Sequence, residues 1–300
     1  MTNKKILLLG GSGYIGSRLY PFLKDAGLDV TNIDINWFGN PFEDTLIYDY
    51  GEIPTDFFNG YSHIIVLAAH SSVSMCDNVH EVQNNNVVKF TRLLENVDKS
   101  TTIIYASSLA VFGSNPKVVT ETDQLTAPIN AYDYSKICRE NVVKLYDLNT
   151  VGLRFGTVGG YSMNYRGENL MNAISLNAIT KGSITLSNTE LKRALLGITD
   201  LCRAMLSIIN SDVSGHKIYN LSSENKSILE FGQEIQRLTN CELTITDSLK
   251  TGYSFQSSST LFEKDFNFKF TDTVETVFND INDNYKNIIF NTKRTTPEYV

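Results

Sequence analysis

Leu9-Gly10-Gly11-Ser12-Gly13-Tyr14-Ile15-Gly16 follows the apolar run Ile6 to Leu9 and opens a stretch of helical pattern. A buried strand that turns through glycines straight into a helix is the sequence form of a dinucleotide-binding unit. Gly10 permits the tight turn, Gly13 lets a pyrophosphate approach the main chain, and Gly16 brings the helix against the strand. Tyr14 and Ile15 complete this turn, where the first N–H groups of a helix favour an anion. The same glycines would also serve a plain strand-to-helix connection, so the argument needs a second feature.

Asp34 supplies it, 18 residues beyond Gly16 at the end of the next β-branched run. A carboxylate there accepts hydrogen bonds from an adenosine ribose. No Arg or Lys lies between Asp34 and Asn40 to neutralise a 2′-phosphate, so the expected cofactor is NAD rather than NADP. Asp49, ending the third strand, is open to two readings, a contact on the adenine side or a turn residue.

Working outward, strand patterns at 6–9, 29–33, 45–48, 63–68, 101–106 and 150–155 alternate with helical stretches, the longest at 79–97 and 131–147. Such alternation predicts a doubly wound, Rossmann-type parallel sheet in an α/β fold. After about residue 160 the pattern changes, with helices expected at 168–181, from Asp200 and at 227–238, and strands at 183–187 and 218–221. The expected division is an NAD-binding domain over 1–165, with 193–222 returning to it. A smaller, discontinuous α/β substrate lobe then takes 166–192 and 223–300.

The net charge is −7, which argues against a nucleic-acid surface while leaving room for a local basic pocket. No apolar run approaches the roughly 20 residues that span a bilayer, and no signal-peptide pattern precedes the first strand. A cytoplasmic protein without membrane or nucleic-acid partners is expected. Cys76, Cys138, Cys202 and Cys241 are scattered without metal-ligand spacing. They read as reduced thiols, and no metal is expected.

The fifth strand ends in Ser107 and Ser108, at the sheet edge where reacting groups collect; serines there also serve as turn or capping residues. Tyr132 and Lys136 stand four apart on a helix and so share one face, where an ammonium favours the phenolate. Taken alone, such a pair is common on helices.

Together these stretches resemble the extended short-chain dehydrogenase/reductase family, in particular its NAD-dependent nucleotide-sugar epimerase/dehydratase group. The similarity rests on residues 9–16, Asp34, Leu67-Ala68-Ala69, Asn86, 107–113, Tyr132 to Lys136 with Glu140, 153–160 and 193–204. It implies a catalytic trio of Ser108, Tyr132 and Lys136, with Ser108 chosen over Ser107 by its distance from Val111. Tyr132 would be the base, Ser108 would bind the sugar oxygen, and Lys136 would hold the nicotinamide ribose while its charge, with that of the oxidised nicotinamide, lowers the Tyr132 pKa. Leu67, Ala68, Ala69 and Asn86 would form part of the cofactor site, Asn86 by fixing main chain near the nicotinamide, and Thr157 stands where many relatives carry Asn.

For the nucleotide-sugar substrate the resemblance implies Asn169 and Arg193 on the diphosphate, with Arg166 as a further candidate. Both arginines are also readable as surface charges. A further arginine of the family is not evident, and residues 252–258 occupy that region. His70 is either a sugar contact or a loop histidine satisfied by the main chain. Leu109 and Ala110 replace the acid pair of the 4,6-dehydratases. The expected reaction is C4 epimerisation through a 4-keto sugar, with a 4-dehydrogenase or ketoreductase, or a non-catalytic dinucleotide sensor, as alternatives. Relatives commonly serve surface-polysaccharide synthesis and pair as homodimers through the two long helices.

Overall fold

A computed structural model describes residues 4–247 and 252–291. Its main sheet has seven parallel strands. In spatial order these are β3 (Leu46–Ile47), β2 (Asp29–Asp34), β1 (Lys5–Leu9), β4 (His63–Val66), β5 (Thr102–Ser108), Asn149–Phe155 and His216–Leu221. The order reverses between β1 and β4, and a crevice opens at the carboxyl ends of the strands beside that point. The Rossmann-type sheet read from the sequence is present.

Side chains alternate across each strand, so β1 sends Ile6 and Leu8 to one face and Leu7 and Leu9 to the other. The first pair packs with Leu19 and Leu23 of α1 (Gly16–Asp25) and with a later helix, Ile198–Ile209. The second pair packs with Phe90 and Leu93, on the opposite layer.

The expected helix over 79–97 is interrupted. It runs as α2 (Val79–Gln83), a π-helical turn at Asn84–Val88, and α3 (Lys89–Asn96). The Tyr50 hydroxyl donates to Asn85 O at 3.0 Å and Arg139 Nε donates to Asn86 O, drawing both carbonyls from the helical ladder. These partners come from elsewhere in the chain and leave no mark on the local pattern.

The helix expected over 131–147 is α4 (Ala131–Val142), continued by a 3₁₀ turn. Asn130 caps it, its Oδ1 accepting from the Asp133 amide at 2.9 Å.

A third core joins Met171, Ile174 and Ala178 of Leu170–Lys181 to Phe231 and Ile235 of Ile228–Thr239 and to Val277, Phe278 and Ile281 of Val274–Asn284. The strand Lys192–Gly197 lies between Thr157–Gly159 and Glu224–Ser227 in a separate three-stranded sheet, while His216–Leu221 is an edge of the main one. Residues 292–300 of the expected lobe lie outside the described residues. No helix among the described residues is long and apolar enough to cross a membrane.

Candidate active site

A cavity of about 450 Å³ opens over the carboxyl ends of β1, β4 and β5. Gly10, Gly13, Tyr14, Ile15, Gly16, Asp34 and Asp49 line one end, and Leu67, Ala68 and Ala69 its middle. Ser108, Tyr132, Lys136, Asn169, Arg166 and Arg193 line the remainder.

The glycines differ in what they need. A Cβ on Gly10, whose φ is +90°, would lie 2.6 Å from Ala68 N, and one on Gly16 would lie 2.3 Å from Gly10 O. Both are glycine because the chain folds against itself there. A Cβ on Gly13 would meet only Gly10 O, at an ordinary 3.5 Å, and would otherwise project into the cavity. The space it would occupy is therefore left to a ligand, at the N-terminus of α1. Asp34 is oriented by two amides, accepting from Ser12 N at 3.0 Å and Asn36 N at 2.8 Å. Asp49 accepts from Gly51 N at 2.9 Å, is ion-paired with Lys89, and still lines the cavity, so the turn and contact readings coexist.

Ser107 and Ser108 diverge as strand alternation requires. Ser107 is buried and donates to Glu140 Oε1 at 2.6 Å, whereas the Ser108 hydroxyl accepts from Ala110 N at 3.1 Å on the cavity side. Glu140 also takes two bonds from Arg154, at 2.9 and 2.7 Å, with the guanidinium 4.8 Å above the Phe112 ring. One residue back on the same helix, Arg139 donates to Asn86 O and, at 3.1 Å, to Ala68 O. Two adjacent buried charges thus fasten α4 to the ends of β4 and β5, which fixes Tyr132 relative to Ser108.

Tyr132 departs from the expected electrostatics. Burial raises the pKa of its phenol, and the Ser108 hydroxyl beside it pulls the other way without prevailing. Lys136 is itself buried; that burial, followed by the charge of Arg139, lowers its ammonium to about 7. Its Nζ donates to Ala106 O at 3.3 Å and stands 5.3 Å from the Tyr132 ring centroid. The expected lowering is a joint effect of Lys136 and the oxidised nicotinamide; in the chain alone, burial outweighs the Ser108 hydroxyl.

Asn86 lies outside the cavity lining and fixes main chain behind it: it clasps His70, accepting from its amide at 2.8 Å and donating to its carbonyl at 3.1 Å and to Ser135 Oγ at 3.0 Å. His70 is fully buried rather than at the cavity mouth. Its Nδ1 pairs with Asn85 Nδ2 at 3.0 Å, and its ring meets Trp37 edge-on at 5.1 Å. Burial, then Lys89, pushes its pKa down to about 4, which keeps the imidazole neutral.

At the far end Asn169 Nδ2 donates to Val158 O at 3.0 Å, and Arg166 pairs with Glu168 at 2.8 Å while donating to Ser71 O at 3.2 Å. Arg193 donates to Lys192 O at 3.0 Å and to Tyr253 O, its guanidinium 5.7 Å from the Phe255 ring. Tyr253 and Phe255 line the cavity in the region where a further arginine was looked for, and Trp37 and Phe38 flank Asp34. The aromatic members went unseen because an aromatic residue in a loop carries no spacing signal of its own. Among the described residues no cluster of His, Cys, Asp and Glu could hold a metal ion.

A glycine turn shaped for a pyrophosphate, a carboxylate at the end of β2 and a Ser, Tyr and Lys set over one crevice define a dinucleotide-dependent enzyme. The chain belongs to the NAD-dependent epimerase/dehydratase family, whose profile matches residues 6–222. It is an enzyme, and its cofactor is NAD. Similar solved structures share its fold. One is a UDP-glucuronic acid 4-epimerase from Bacillus cereus in complex with UDP-glucuronic acid and NAD, at 20% identity and TM-score 0.81, covering 94% of this chain and 99% of that one. Another is a UDP-glucose 4-epimerase from Bifidobacterium longum with NAD+ and UDP, at 19% identity and TM-score 0.83, covering 95% and 99%. A third is TunA, an NAD-dependent NDP-hexosamine 5,6-dehydratase of tunicamycin biosynthesis, at 19% identity and TM-score 0.83, covering 94% and 98%.

Proposed function

We propose that the protein is an NAD-dependent nucleotide-sugar epimerase acting at C4, with Ser108, Tyr132 and Lys136 as its catalytic residues. The observation that carries the reading is the convergence of these three on one cavity, while the positions that would hold a dehydratase acid pair, Leu109 and Ala110, are buried and apolar.

Gly10, Gly13, Gly16, Asp34 and Lys136 would hold NAD, which would supply a reversible hydride acceptor for the C4 carbon, so that return of the hydride to the other face of the 4-keto sugar would invert C4. Tyr132 takes the proton of the C4 hydroxyl and gives it back. Ser108 holds the reacting oxygen. The positive charge of the oxidised cofactor, added to that of Lys136, offsets the burial that raises Tyr132 in the chain alone. Arg193 and Asn169 bind the diphosphate, the half-buried guanidinium suiting its oxygens.

Incubation with UDP-, GDP-, CDP- and dTDP-sugars tests the reading. Exchange at C4 without added reductant is expected, and stoichiometric NADH release would replace epimerase by dehydrogenase.

Val79 and Val88 near α2, with Tyr134 and Leu145 at α4, are exposed apolar side chains that support pairing of two copies through these helices. A mass measurement in solution tests it, with a dimer expected. The four cysteines are free, which supports a reducing compartment such as the cytoplasm.

A further inference from the structure

The catalytic helix and the far wall of the cavity are joined through a single residue. The Tyr253 hydroxyl donates to Asp133 Oδ2 at 2.7 Å and accepts from Asn130 Nδ2 at 2.5 Å, while its main-chain oxygen accepts from Arg193. Asn130 caps α4, and Asp133 directly follows Tyr132. Tyr253 is thus held on one side by the helix that carries the base and on the other by the arginine set for the diphosphate.

This arrangement decides what the phenol can do. Its proton is committed to Asp133 and one acceptor position to Asn130, so toward the cavity it has only acceptor capacity left. Asp133 is 2% exposed and pairs with no cation among the described residues. Its Oδ1 is buried without a hydrogen-bond partner among them. Burial lifts the Asp133 carboxyl above its ordinary range, against relief from Tyr253, the Ile129 amide and Asn130. An acceptor backed by a buried carboxylate that has no ion-pair partner suits a hydroxyl and repels an anion. The cations facing the cavity are otherwise engaged: Lys136 donates to Ala106 O at 3.3 Å, Arg166 is paired with Glu168, and Arg193 faces two carbonyls at the diphosphate end.

We infer that Tyr253 is a specificity-determining residue, positioned by Asp133 and Asn130, that accepts a hydrogen bond from a neutral sugar hydroxyl and excludes a carboxylate there. The substrate class is then a nucleotide hexose and not the corresponding nucleotide uronate. This rests on the proposed nucleotide-sugar reading of the same site.

The test compares hexose and uronate carried on the same nucleotide, across UDP, GDP, CDP and dTDP, for binding by calorimetry and for turnover. The wild-type protein is expected to favour the hexose about a hundredfold in kcat/KM and in affinity. Asp133→Asn, which keeps an acceptor but removes the charge, should shift that ratio toward the uronate about tenfold. Tyr253→Phe should raise KM for the hexose about tenfold with kcat little changed and uronate binding unaltered.

Equal wild-type affinity for the two sugars, or no affinity for either, overturns the inference even where a variant fails to fold. Variants that fold and weaken hexose and uronate alike overturn it as well. If the product is oxidised or dehydrated instead of exchanged at C4, the proposed reaction falls while the hexose-to-uronate ratio still decides this inference.

Discussion

The end of the cavity beside β1 is lined by main chain and small residues, Gly10, Gly13, Ala68 and Ala69, whereas the opposite end is lined by long side chains, Arg166, Arg193, Tyr253 and Phe255. The first end is shaped by what is missing, a Cβ on Gly13. The second is shaped by side chains from separate segments that restrain one another, as Tyr253 and Arg193 do. A site made of backbone recognises a constant ligand and tolerates little change. A site made of mutually braced side chains is tuned by replacing any one of them. Tyr132 stands at the seam, and the strongest tests lie there.

Tyr132→Phe removes the proton acceptor without disturbing either end, and kcat should fall by about 10²- to 10⁴-fold while NAD affinity is retained. Titration with NAD alongside turnover checks this. Loss of both together would mean that the two ends are not separable.

Glu140→Ala strips the buried Arg154 and Ser107 of their shared partner and should destabilise the fold by about 3–5 kcal/mol in urea unfolding. A change below about 1 kcal/mol would show that the seam is held by other contacts.

Lys136 offers a pH test. Its pKa is about 7 in the folded protein against an ordinary 10.5, so the unfolded chain binds the extra proton between those values. The ammonium therefore destabilises the fold fully below pH 7, and the penalty fades as pH rises toward 10.5. Lys136→Met should abolish turnover yet raise stability by a few kcal/mol at neutral pH, each tenfold change in proton affinity being about 1.4 kcal/mol. Melting curves at several pH values should show the gain shrinking upward; a constant gain would sink the argument.

The smallest effects separate the two ends most cleanly. Gly13→Ala should leave stability within about 0.5 kcal/mol and weaken NAD about tenfold, since the new methyl meets ligand and not protein. Arg193→Lys should do the reverse, raising KM for the nucleotide sugar about tenfold with NAD affinity untouched. If either change moved both affinities, the contrast between the ends would fail.

Legibility followed the same division. The turn over 9–16, Asp34 and the strand pattern could be read because their constraints act over short spans of chain, through turn geometry, alternation and strand-to-helix spacing. Val274, Val277, Phe278 and Ile281 also stand at helical spacing, a signal by which the helix Val274–Asn284 could have been found. The break at Asn84–Val88 could not be read, because Tyr50 and Arg139 reach it from other elements. His70 was misplaced for the same kind of reason: its neighbours Asn85 and Trp37 come from other segments.

The sequence alone determined the sheet and the cofactor turn, since both are encoded by local spacing, while the membership of Ser108, Tyr132 and Lys136 in one site came from resemblance to the family. Only the tertiary structure decided the protonation balance of Tyr132 and Lys136 and the partners of Asp133, Tyr253 and Arg193. Burial and cross-chain hydrogen bonding depend on which distant segments meet, and desolvation is set by the whole fold around a group.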